Sequence, residues 1–265
     1  MAEYQMVSDL TPWEEYKQTI KVKVLKRWET VDSNGKDGMY FILVDESGSR
    51  VAATVVDETQ LSYFQHVFQE GVWVRISQFG LANSGWNDRS TKHAYKIILS
   101  QKTNVNSIRP LTDDPFISFV DFASVINRPY SHYYLIDLLG VFDKNIRDIV
   151  EDVGNDGKTV STLHFRITNI EGNTLECVAH GDLAYYIKKK SNGEVLNGPT
   201  SICALTDWMV KKSINEITIN NYEGGKLSRF LVHPPLDEVY NLRAKMWVNV
   251  RNLAHNASSS GSRNA

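Results

Sequence analysis

Cysteine is nearly missing from this sequence: only Cys177 and Cys203 occur in 265 residues. Both sit in apolar, strand-like runs. A disulfide framework is therefore excluded, and the thiols read as buried and free, as suits a cytosolic or nuclear setting. No stretch approaches the roughly 18 consecutive apolar residues that cross a bilayer, so no membrane helix and no membrane partner are expected. The opening MAEYQMVSDL has no basic stretch followed by an apolar run, so no secretory signal is expected. The seven histidines are scattered, and no Cys/His spacing suits zinc. Neither a metal nor any other cofactor is expected. P-loop, G-x-S-x-G and H-E-x-x-H motifs are also missing. The carboxylate pairs Glu14-Glu15, Asp113-Asp114 and Glu151-Asp152 lie in helix starts or loops without a partnering histidine. They read as solvated side chains, and no catalysis is expected. An excess of one charge is missing too: 29 Lys and Arg against 31 Asp and Glu give a net charge of −2. That excludes a histone-like, wholly electrostatic binder and leaves local basic patches open.

What is there is ordinary globular material, 42% hydrophobic and 23% charged, enough for real cores. Thr11-Pro12-Trp13-Glu14 reads as a short helix start. In TIKVKVLKRW, Ile20, Val22 and Val24 alternate with Lys21 and Lys23, the period of a half-buried strand. MYFILV and VAATVV are strands joined by the Asp45-Glu46-Ser47-Gly48 turn. DETQLSYFQHVF suits a helix, and VWVRISQF and AYKIIL are strands around the loop GLANSGWNDRSTKH. The same order then returns. YYLIDLLGVF, VSTLHFRITN and NTLECVA are strands, the last two joined by a second glycine turn. GDLAYYIKKK is helix-like, TSICALTDWMVKK and LSRFLV are strands, and LDEVYNLRAKMW is a closing helix. Gly48 and Gly172 stand 124 positions apart at matching places.

Five strands with a helix after the third is the order of an OB-fold, a partly open Greek-key barrel. The expected architecture is mainly β: two tandem OB-fold barrels with short helices. Residues 1–102 form the first domain, the polar TNVNSIRPLTDDP at 103–115 a linker, 116–250 the second domain, and 251–265 a Ser/Gly/Asn-rich disordered tail. The sequence also resembles a known family. KRWE…MYFILVDESGSRVAATVVDETQLSYF is similar to the first of the two central DNA-binding OB domains of the replication protein A large subunit. YYLIDLLGVF…LHFRITNIEGNTLECVAHGDLAYYI…NNYEGGKLSRF…LDEVYNLRAKMW resembles the second, and the opening SDLTPWEEYKQTIKVKVLKRW is similar to plant paralogues. The family's N-terminal recruitment domain and zinc-containing C-terminal barrel are not matched, so a free tandem pair is expected.

The resemblance implies two stacking aromatics in each domain, one at the end of the third strand and one near the last hairpin. In the first domain these positions fall on Val55, which is not aromatic, and on Tyr95. In the second they fall on His180 and Tyr222. Tyr95 is equally readable as a core tyrosine, and His180 as a helix-cap residue. Strict alternation from Ile20 would bury both Lys26 and Trp28. An unpaired buried lysine is costly, so a bulge near Val24-Leu25 is expected to turn both outward, where the family has a basic residue and a tryptophan. The alternative keeps Trp28 in the core and Lys26 at the barrel end. Trp86, in a Gly/Asn loop, either folds over a groove or tucks against the barrel. Lys23, Arg27, Arg75, Lys92 and Lys96 are candidate groove cations in the first domain, and Lys211, Lys212, Lys226 and Arg229 in the second.

The expected function is single-stranded DNA binding in replication, repair or recombination, in the nucleus and without catalysis. Partners implied are single-stranded DNA, with RNA not distinguished, and other replication protein A subunits or repair proteins. The rival expectation is an OB-fold protein-interaction module that has lost most nucleic-acid affinity, because Val55 and His180 replace strong stackers.

Overall fold

The computed structural model describes residues 4–14, 16–31, 37–85, 90–127, 134–153, 159–193, 196, 201–213, 216–222 and 227–260. The chain divides into two compact units. The first comprises Met1–Ile117 with Ser131–Leu135 and Tyr222–Leu227; the second comprises Ser118–Tyr130, Ile136–Asn221 and Ser228–Ala265. The architecture is mainly β, two tandem OB folds with short helices.

In the first unit β1 (Thr19–Val31), β2 (Asp37–Val44) and β3 (Arg50–Val55) form an antiparallel meander. Helix α1 (Leu61–Val67) follows. After it come β4 (Trp73–Ser77), β5 (Gly80–Asn83), β6 (Tyr95–Leu99) and β7 (Asn104–Ser107). The sheet order is β5-β6-β3-β2-β1-β4-β7, with β3 and β6 parallel. One face of each strand supplies the core: Ile20, Val22 and Val24 from β1, Phe41 and Leu43 from β2, Val51, Ala53 and Val55 from β3, and Ile97 and Leu99 from β6. Val55, the expected stacking position, is part of that core.

The second unit repeats the plan. It opens with α2 (Phe122–Asn127) and β8 (Ile136–Phe142), followed by β9 (Val150–Val153), β10 (Thr159–Thr168) and β11 (Thr174–His180). Helix α3 (Asp182–Ser191) leads to β12 (Ile202–Lys212), β13 (Ile217–Asn221) and β14 (Arg229–Val232), and α4 (Asp237–Ser260) closes the described chain. The path β11-β13-β12-β8-β10 is closed by the β10–β11 pairing, and β11 and β13 are parallel. The two glycine turns have the same build. In each, the amide of the first residue donates to the carbonyl of the fifth, and the amide of the fourth, the glycine, donates to the carbonyl of the first: Asp45 N to Ser49 O and Gly48 N to Asp45 O, then Asn169 N to Asn173 O and Gly172 N to Asn169 O. Both glycines have φ +85, which only glycine adopts without strain.

Two expectations need correction. Pro12–Glu14 makes a single 3₁₀ turn rather than a helix. The segment 103–115 is not a free linker: β7 pairs with β4, the Ile108 amide donates to Trp73 O at 2.9 Å, and Lys23 Nζ donates to Asp114 O at 2.9 Å. Its exposed Asn104, Asn106 and Ser107 hide the strand from a hydrophobic-period reading. Helix α4 runs to Ser260. Residues 261–265 lie outside the described residues.

Candidate nucleic-acid interface

An OB barrel has one usable sheet face once the other is buried, so the register decides which side chains face outward. In β1 the pairing with β2 shifts between Val24 and Lys26. This is the expected bulge, and it moves Lys26 and Trp28 off the side of Ile20, Val22 and Val24. Lys26 then lies opposite Ile42, and Trp28 opposite Tyr40. Ile42 and Tyr40 pair onward with Ala52 and Thr54, which lie beside Lys96 and Ile98. The face of the first barrel turned away from the core cluster thus holds Lys26, Trp28, Tyr40, Ile42, Ala52, Thr54, Lys96 and Ile98, of which Ile42 and Thr54 are themselves buried. Its aromatic part is a stacked pair: the Trp28 and Tyr40 rings are 5.7 Å apart and tilted by 20°.

The bulge sets the side, but it does not leave Trp28 bare. Trp28 is 6% exposed. Tyr222, which groups with the first unit, meets it edge-on at 6.2 Å and is itself half-buried. Tyr40, half-buried on the same face, is a stacking candidate that the sequence reading missed. Its signal was its place in the strand run MYFILV, two residues from Ile42 on the side that pairs with Trp28.

The other first-barrel candidates scatter. Arg27 falls on the opposite side, across from Phe41, where its Nη1 donates to Gln65 O of α1 at 2.9 Å. Lys23 holds the Asp114 carbonyl, with its ammonium 5.4 Å above the Phe116 ring. Arg75 is opposite Lys21, seven residues before Trp28 along β1, or ~23 Å away at strand rise. Tyr95 alternates with Lys96, so it lies on the side of Ile97 rather than on the outward face. It is half-buried, and its amide donates to His93 Nδ1 at 3.1 Å. Lys92 is exposed, with its Nζ 5.1 Å above the Tyr134 ring. Trp86 and Lys226 lie outside the described residues.

In the second barrel, Leu163, Phe165 and Ile167 of β10 point inward, so Thr162, His164 and Arg166 point outward. They sit opposite His180, Val178 and Glu176 of β11. Glu176 and Val178 pair with Thr218 and Asn220 of β13, and these pair with Lys211 and Met209 of β12. His180 and Lys211 therefore share one face, two strands apart. His180 is fixed there: Nδ1 lies 3.2 Å from Thr162 Oγ1, Nε2 lies 3.3 Å from Asn220 Oδ1, and its amide donates to Asn221 Oδ1 at 2.7 Å. It is not the helix cap, since α3 begins at Asp182 after Gly181. Trp208 is fully buried and donates Nε1 to Arg229 O at 2.9 Å. Arg229 is exposed on β14, opposite Thr206.

A cleft of about 280 Å³ opens on this face, lined by Asn145, Arg147, His164, Phe165, Arg166 and Glu176. None of these was selected from the sequence. Arg166 is held by Asp143 at 2.9 Å and Glu176 at 3.8 Å, whereas His164 and Arg147 are exposed at the cleft. The alternation in TLHFRI carried the signal for His164 and Arg166. Arg147 comes from an irregular segment, where periodicity is silent. Both thiols are fully buried, and burial pushes the Cys177 and Cys203 pKa values well up, so neither is a nucleophile. Among the described residues no group of His, Cys, Asp and Glu could hold a metal ion, and no helix is long and apolar enough to cross a membrane.

A profile described as "Domain of unknown function DUF223" matches residues 8–128, less than half of the chain. No curated protein matches the chain. Among solved structures, "Structure and Conformational Change of a Replication Protein A Heterotrimer Bound to ssDNA" is similar over 91% of this chain, at 16% identity and a TM-score of 0.60. The chain spans 54% of that protein's length. "Structure of murine DNA binding protein bound with ds DNA" matches 81% of this chain and 94% of its own at 14% identity and a TM-score of 0.41. "Crystal structure of Ifi202 HINa domain in complex with 20bp dsDNA" matches 82% and 97% at 10% identity and a TM-score of 0.44. In fold, the chain is an OB-fold protein of the kind seen in replication protein A.

Proposed function

We propose that this chain binds single-stranded nucleic acid across the outward faces of its barrels, as a replication protein A large-subunit type protein acting in DNA replication, repair or recombination. It does so without catalysis and in the nucleus. The observation that carries the reading is the likeness, over nearly the whole chain, to a replication protein A solved with single-stranded DNA. The faces supply suitable chemistry. The first offers the Trp28–Tyr40 stack beside Lys26 and Lys96, and the second offers Arg147, His164, His180 and Lys211. Stacking on an aromatic contributes about 1–3 kcal/mol per base and tolerates any sequence. Cations that neutralise phosphates make affinity fall with salt, with a slope of about −0.7 per phosphate on a single strand.

The test is an anisotropy titration with oligo-dT at low and moderate salt. Salt-sensitive, submicromolar binding is expected, and Tyr222→Ala should weaken it by about 1–3 kcal/mol. No binding even at low salt would overturn the reading and leave the protein-interaction alternative. Buried Val55 and the doubly engaged His180 ring are the observations that favour that alternative.

A further inference from the structure

The second unit carries a groove that the nucleic-acid reading does not use. It lies between the start of α2, β8, the β10–β11 turn and α4, with a volume of about 370 Å³. Its apolar lining includes Phe119, Leu139, Ile170 and Leu242. Its polar lining is lopsided: Asp121, Glu171 and Glu238 stand against one cation, Lys245, and all four are exposed.

The groove is built, not incidental. Phe119 forms a parallel bridge to Asp137, and the Val120 amide donates to Asp137 O at 2.8 Å, which lays Phe119–Phe122 along β8. Phe122 can close over the strand because Gly140 has no side chain there; a Cβ would stand 3.1 Å from Phe122 Cζ and 3.2 Å from Ile167 Cβ. Leu242 is buried with Val239 and Ile202, and the partly buried Leu139 and Ile170 pack against that cluster. Buried Leu242 thus backs the groove, while Leu139 and Ile170 stay partly exposed to it.

An acidic rim repels a polyanion, so this groove is unsuited to the ligand of the sheet faces. Half-exposed Phe119, Leu139 and Ile170 favour an apolar occupant, and the three carboxylates favour one with flanking cations. Along α4 the lining residues are Glu238, Asn241, Leu242 and Lys245, two turns of one helix face. That length and shape match a second helix lying alongside. We infer that this groove docks an amphipathic helical segment of a partner protein, with apolar side chains on one face and Lys or Arg at its flanks.

The probe is an 18-residue helical peptide of leucine and lysine, titrated into the ¹⁵N-labelled full chain. Its controls are a serine/lysine peptide of equal charge and a leucine/glutamate peptide. Amide shifts centred on Phe119–Phe122, Ile170 and Leu242 are expected, with the leucine/lysine peptide binding at least tenfold tighter than either control. Charge reversal by Glu171→Lys with Glu238→Lys changes only exposed positions and should weaken it at least tenfold, leaving the dissociation constant for oligo-dT unchanged. Ile170→Ser should weaken it with the charges intact. The inference is overturned if the serine/lysine peptide binds as well, if the shifts centre elsewhere, or if charge reversal changes the affinity less than twofold. Failure of oligo-dT binding alone would not touch it.

Discussion

The two barrels solve one geometric problem in two ways. The fourth strand of each must bend to pair with the first strand at one end and the fifth at the other. In the first unit it breaks. Gln78 takes φ +57, separating β4, which pairs with β1, from β5, which pairs with β6. In the second unit β12 runs on through the bend. Its register against β8 shifts between Leu205 and Trp208, where Asp207 takes φ +60 and donates its amide to Asp137 Oδ1 at 2.9 Å. A left-handed non-glycine residue is uncommon and persists only where its surroundings hold it. The same device at the same place leaves an open sheet in one unit and a closed ring in the other. The outward faces diverge further: the first has a stacked aromatic pair with two lysines, and the second, among its described residues, has histidine, arginine and lysine without an aromatic stack. Topology is held by the inward face, and the outward face is free to change chemistry.

The core comparison is broken most forcefully by Trp208→Ala. This residue is fully buried and edge-on to Phe165 at 5.8 Å, so its loss should cost about 3–5 kcal/mol. Hydrogen exchange should show the loss in second-unit amides, with first-unit amides unchanged. Equal loss in both would show that the units do not unfold separately.

The face comparison is sharpened by two binding variants. Tyr40→Ala should cost about 1–3 kcal/mol in oligo-dT affinity by removing half of the Trp28 stack. Arg147→Ala should instead flatten the salt dependence, lowering the slope by about 0.7 if it neutralises one phosphate. An unchanged slope would remove the cleft from the interface.

A smaller difference separates the buried tryptophans. Trp208 Nε1 donates to Arg229 O, whereas Trp73 Nε1 has no partner among the described residues. In urea unfolding, Trp208→Phe should therefore cost about 1 kcal/mol more than Trp73→Phe. The smallest effect concerns an exposed pair. Lys188 Nζ lies 2.7 Å from Asp148 Oδ1, and this hydrogen bond with its charge attraction lowers the Asp148 pKa below 3.8. A lowered carboxyl pKa means that the contribution is complete above the ordinary value and lost as pH falls through the lowered one. An NMR titration should thus show Lys188 released only below about pH 4, and Asp148→Asn should abolish that transition.

Much of the fold was readable because burial imposes a period. Ile20, Val22 and Val24 marked β1, and the cost of burying Lys26 led to the bulge that the register contains. Both glycine turns were legible, since φ +85 leaves little choice of residue. The site was far less legible. Tyr95, readable either as a stacking residue or as a core tyrosine, and Arg27, a candidate groove cation, both lie on the side away from that face. Tyr40 and Arg147 were passed over. Alternation tells which residues share a side, but not which side stays open or what covers it.

The sequence by itself determined the repeated strand order, the hairpins and the inward faces, because each follows from local spacing and the free energy of burying apolar side chains. Only the tertiary structure decided that Trp28 is covered, that His180 is held at both ring nitrogens and that three carboxylates meet around an apolar groove. Those facts depend on residues far apart in the chain, whose meeting no local period encodes.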